Sequence, residues 1–200
     1  MKSRETIDGA HTAFTDHQIR KLPLDSEPPA SPKTALSPWR DPRSAFAARN
    51  LALAYLSAGE RDASQEMFKR AFPLLVDAQK QFPKDADVTA GLALLLYFKG
   101  MNRSAATAFE LAARLRPDSR FYRDAAAAWR ADSASENAIR DLNKAIEIDP
   151  SDENAYRMLA DIYQAAGSEL LEKQVLDRYL RFRPASIEFR QRRLGIASNH

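Results

Sequence analysis

The sequence contains no cysteine in 200 residues. That excludes disulfides, thiolate zinc sites, iron–sulfur clusters and cysteine nucleophiles. Glycine is scarce, at six, and no Gly-rich phosphate loop can be drawn from those present. No run of about 18 apolar residues occurs, so no membrane insertion is expected. The opening stretch MKSRETIDGAHTAF has no apolar h-region, so no secretion signal is read in this chain. Charge of one sign is lacking too. The net value is +3, whereas nucleic-acid binders gather far more positive charge on one face, so a nucleic-acid partner is not expected.

What is present suits a packed protein. Hydrophobic residues make up 44% and charged residues 28%, the balance of a globular domain. Composition changes sharply near residue 44. Six of the eleven prolines (Pro23, Pro28, Pro29, Pro32, Pro38 and Pro42) precede it. Proline lacks the amide donor and disfavours helix in the residue before it. Residues 1–43 therefore read as an extended, Pro-rich arm without a core of its own, in which Trp39 is expected to dock on the neighbouring domain.

From Ala45 the chain turns rich in alanine and leucine with helical spacing. A period then emerges: Pro117, Pro150 and Pro184 stand 33 and 34 residues apart. A two-helix pattern precedes each. In residues 153–184, Tyr156, Leu159, Ala160 and Tyr163 mark one helical face, Gly167 ends that helix, and Leu176 and Tyr179 mark the next. In residues 86–117, Leu92, Ala93 and Leu96 precede Gly100; Ala105, Phe109 and Ala112 follow. In residues 119–150, Tyr122, Ala126 and Trp129 precede Ala138, Leu142 and Ala145, with Ser133 at the turn.

These residues resemble the tetratricopeptide repeat: 34 residues, a small and aromatic face on helix A, a turn glycine, small and aromatic residues on helix B, then proline. The resemblance implies an all-α solenoid of about four helix-turn-helix repeats over residues 45–184 (45–83, 86–117, 119–150 and 153–184), with residues 185–200 as a capping helix and tail. The first copy departs from the pattern. Gly59 reads as its turn glycine, yet counting on from it and counting back from Pro83 give registers seven residues apart. An insertion near ERDASQEM is therefore expected between its helices, with Pro73 in the first turns of helix B, where a missing amide is tolerated.

Stacked repeats bury a shared core and leave a groove lined by the other face of each helix A. The expected groove residues are Arg49, Leu53, Leu56 and Ser57; Ala90, Leu94 and Tyr97; Arg123, Ala127 and Arg130; and Asn154, Arg157, Asp161 and Gln164. Its arginines suit the carboxylates of an acidic peptide, because a guanidinium forks onto two oxygens. The competing reading pairs them with Asp87, Asp124 and Asp161. The segment from Asp177 to Gly195, arginine-rich against Asp177 and Glu188, reads as a solvated helix face. The function expected is a non-enzymatic scaffold binding a protein or peptide in a mildly basic groove, with no cofactor in this chain and an open oligomeric state.

One segment fits no repeat. DGAHTAFTDHQI holds His11 and His17. Together with SPWRDP at residues 37–42, it resembles the stretch after the last haem site of bacterial multihaem c-type cytochromes fused to tetratricopeptide repeats. That resemblance implies the alternative function: the C-terminal portion of a periplasmic cytochrome, serving electron transfer and partner docking. His11 or His17 would then be an axial ligand to haem c. The cysteines of the attachment motif are missing from this chain, so haem is expected only if the native protein is longer at its N-terminus. Localisation follows the same branch, periplasmic for a cytochrome fragment and cytoplasmic otherwise.

Overall fold

A computed structural model describes residues 44–198, and nine α-helices succeed one another through them. They are α1 (Ala45–Arg61), α2 (Gln65–Gln81), α3 (Ala86–Phe98), α4 (Asn102–Leu115), α5 (Ser119–Ala131), α6 (Ser135–Ile148), α7 (Glu153–Ala165), α8 (Glu169–Phe182) and α9 (Ile187–Ser198). Each packs against the next in sequence, as expected of an all-α solenoid. The boundaries are written in the local chemistry. Ser44, Asp85, Asp118 and Asp152 each stand before a helix A and accept a hydrogen bond from one of its first free amides. Pro83, Pro117, Pro150 and Pro184 follow the caps of α2, α4, α6 and α8, where a helix cannot continue.

The turn inside every repeat is built the same way. Ala63, Gly100, Ser133 and Gly167 adopt left-handed backbone angles, with φ of 49°, 75°, 61° and 66°. One residue later the amides of Ser64, Met101, Ala134 and Ser168 donate back to the carbonyls of Gly59, Leu96, Trp129 and Tyr163 at 2.8–3.0 Å. This is the six-to-one closure that satisfies carbonyls left open at a helix end.

The first repeat corrects two expectations. There is no inserted loop, because its helices are joined by three residues, as in the other repeats. The seven extra residues lie in the helices themselves. At 17 residues α1 is four longer than α3, α5 and α7, and α2 is three longer than α4, α6 and α8. Each has gained about one turn at the end that meets the connection. Gly59 is consequently helical, and the turn falls to Ala63. Pro73 lies in mid-helix rather than in the first turns. Its missing amide leaves the Lys69 carbonyl without its usual partner; both residues are exposed, so water can take that place.

The core follows the small-and-large pattern of the sequence. Ala93, Ala126 and Ala160 are fully buried and let helices approach closely, while Phe109, Leu142 and Tyr179 fill the space between them. The last pair is closed by α9, whose Phe189 is buried with its ring 4.2 Å from that of Tyr179.

Candidate functional site

The A helices of the first three repeats enclose a pocket of about 320 Å³. Its walls are apolar: Leu53 and Leu56 from α1, Ala90, Leu94 and Tyr97 from α3, and Ala127 from α5. Their placement follows from helix geometry, since residues three or four apart share a face. Leu56 is buried, and the other five are half-buried. The charged lining is Glu60, Asp87, Arg120 and Asp124. Glu60 is present because α1 has its additional turn.

The structure brings together the expected groove residues Leu53, Leu56, Leu94 and Tyr97, and it ties three of the four expected arginines, Arg49, Arg123 and Arg157, to carboxylates. The Nε and Nη2 of Arg49 donate to Asp85 at 2.7 and 3.1 Å, and Nη2 also reaches Asp87 at 2.9 Å. The Nη1 of Arg123 donates to both oxygens of Asp152 at 2.8 Å. Arg157 donates to Glu188 on α9 at 2.8 and 3.0 Å, and to Asn154 and Glu153 at 2.6 Å each. These pairs share a logic. An arginine near the start of one helix A binds an acid at or beside the start of the next, so the arginines act as ties between repeats.

The remaining expected residues lie further along. Arg192 of α9 donates to Asp161 at 2.6 Å and to Gln164 at 3.2 Å, which places α9 over the fourth helix A. The same guanidinium reaches the buried Glu172 at 2.6 Å. The basic run at the end of the chain is thus partly turned inward rather than solvated, with Arg193 bound to Asp177 at 2.8 Å. Arg130 and Asp161 line a separate depression of about 430 Å³ with Ile139 and Tyr163. His11 and His17, and the expected docking of Trp39, lie outside the described residues.

Sequence reasoning missed the charged residues that matter most in the pocket. Asp124, expected to pair with an arginine, makes no hydrogen bond and no ion pair among the described residues, and neither does the side chain of Glu60. Burial pushes the Asp124 carboxyl up to about 6; Arg123 and Arg120 oppose that, and Glu60 and Asp118 add to it. Loss of water raises Glu60 as well, although it stands exposed at the rim. Asp87 behaves oppositely, held low by the forked hydrogen bonds of Arg116 at 2.6 and 2.9 Å. Among the described residues, no three or more His, Asp or Glu side chains are grouped to hold a metal, and no helix is long and apolar enough to cross a membrane.

No protein-family model matches the sequence, and no curated protein matches it. Solved structures do. The crystal structure of MamA superimposes with a TM-score of 0.61 at 18% identity, over 70% of this chain and 79% of that one. PilF of Pseudomonas aeruginosa gives 0.59 at 17% identity, over 76% and 70%. The APC/C hetero-tetramer Cut9–Hcn1 gives 0.57 at 19% identity, over 76% of this chain but only 32% of that one. At such identities the likeness is one of fold. Four helix pairs with a common turn, a 33- or 34-residue period in the last three and a closing helix give the described residues the fold of a tetratricopeptide-repeat solenoid.

Proposed function

We propose that this protein is a non-enzymatic interaction scaffold that holds a segment of a partner protein on the face shared by α1, α3 and α5. The observation that carries the reading is the pocket itself. Leucine, tyrosine and alanine side chains, most of them packed against the core clusters, line a concavity left between three helices. Apolar walls with a few converging polar groups are what binding sites offer. A curved stack of helices presents such walls along its length. Among the described residues that line the pocket, no nucleophile is paired with a base, which favours binding over chemistry.

The test is a selection from a random twelve-residue peptide library against the full chain, repeated with the variant Ala127→Tyr. That substitution fills the pocket from α5 without adding charge. Enriched peptides that bind saturably to the wild type and are lost on the variant, with its helical circular dichroism unchanged, support the reading. Peptides that bind both proteins equally would move the docking site to another face.

A further inference from the structure

The pocket carries more negative than positive charge among the described residues that line it. We propose that it receives a lysine or arginine side chain of the partner protein, its cationic head meeting the carboxylates of Glu60 and Asp124 and its methylene stem lying along Leu53 and Leu94. This rests on the reading of the pocket as a protein-docking site and names the chemistry of what docks there.

The argument begins with which charges are already spent. Arg49, Arg123 and Arg157 are engaged with acids of the following repeat or the capping helix. An incoming acidic peptide would have to compete with those carboxylates. Arg120, the pocket's own cation, lies 3.6 Å from Asp118 and 3.8 Å from Asp87. Against it stand three lining acids, Glu60, Asp87 and Asp124. Asp87 is satisfied by Arg49 and Arg116. Among the described residues, Glu60 and Asp124 have no such partner.

A carboxylate withdrawn from water without a partner is a cost that the free protein bears. A cation arriving beside it recovers that cost, whereas an anion would add to it. The walls narrow the choice of cation. Lysine and arginine bury their methylene stems on apolar surface and keep their heads at polar groups. Leucine and alanine walls ending in two carboxylates match that division. A bare metal ion would need more oxygen donors than these two residues supply.

One of the two acids traces to a departure from the regular repeat. Glu60 sits in the additional turn of α1, a turn that α3, α5 and α7 lack. Asp124 follows Arg123, whose guanidinium is turned away to Asp152. The site is therefore specific to the first three repeats rather than a general property of the stack.

The experiment uses the peptides enriched on the full wild-type chain at neutral pH. They are expected to share a lysine or arginine flanked by apolar residues. Replacing that residue by norleucine, which keeps the stem and removes the charge, is expected to weaken binding about tenfold, the size of a hydrogen bond to a charged group. The double variant Glu60→Gln/Asp124→Asn should show the same loss for the lysine peptide and no change for the norleucine peptide. Glu60→Gln alone, at the exposed rim, serves if the double variant is not helical. Enriched peptides without a cation, or a lysine-to-norleucine ratio unchanged in the variants, would overturn the cationic anchor while leaving the docking reading intact. If no peptide binds saturably, or none responds to Ala127→Tyr, both proposals fall together.

Discussion

The ring of Phe68 on α2 occupies the space a side chain on Gly59 would need: a Cβ there would come within 2.5 Å of the ring. Gly59 thus serves packing, not the turn. Phe68 is held in turn by Phe98, 4.4 Å away between ring centroids. Gly59→Ala should therefore destabilise the protein by about 1–3 kcal/mol, although alanine is the better helix former by about 1 kcal/mol. Urea unfolding of Gly59→Ala beside Gly59→Ala/Phe68→Leu checks this. The double variant should recover part of the loss, and a stabilised single variant would refute the packing account.

The left-handed turn residues make a second prediction, with opposite signs at different repeats. Ala63 and Ser133 hold positive φ at a steric cost that glycine does not bear. Ala63→Gly and Ser133→Gly should each raise stability by about 1 kcal/mol, a rise of roughly 2–4 °C in Tm for a domain of this size. Gly100→Ala should lower stability by a similar amount. Nothing lies within 4 Å of an added Cβ there, so the loss would be conformational rather than a clash. Melting curves of the three variants decide it.

The period was legible because Pro117, Pro150 and Pro184 punctuate it and because Ala, Leu and aromatic residues recur between them. The longer first repeat was not. An extra turn added to each of two helices leaves no break in helical spacing, and Gly59 lies where a turn glycine would stand. The apolar half of the pocket could be read from spacing along one helix. Its electrostatics could not. Whether Arg49 meets Asp85, 36 residues away, or whether Asp124 meets anything, depends on how one repeat sits on the next.

The capping helix supplies a third prediction. Glu172 is buried, with its side chain 3% exposed, and Arg192 lies 2.6 Å away. Removing one partner of a buried pair strands the other charge. Arg192→Met should cost about 3–5 kcal/mol and speed amide exchange along α9 and α8. Arg192→Met/Glu172→Leu should restore much of that loss, because an apolar pair of similar size bears no desolvation cost. If the double variant is as unstable as the single, Arg192 acts chiefly through Asp161 and Gln164 instead.

The last prediction concerns acid. Burial raises the Asp124 carboxyl to about 6, so the folded chain keeps a proton there that the unfolded chain releases near the ordinary aspartate value of about 4. Between those values the folded state binds more protons. Stability should therefore fall as pH rises through this window and stay low above it. Asp141, fully buried and raised to about 6 by the same cause, acts in the same direction. Carboxylates lowered by arginine partners, such as Asp62, Asp87 and Glu188, work the other way, but only below their ordinary values. The protein should accordingly be more stable at pH 5 than at pH 7.5. Asp124→Asn should remove part of that difference by raising stability at pH 7.5, by on the order of 2 kcal/mol, because the amide carries no charge to desolvate. Urea midpoints of wild type and variant at both pH values test the account. A wild type equally stable at both would mean that water or a bound partner already compensates Asp124, and the case for an unmet negative charge in the pocket would fail with it.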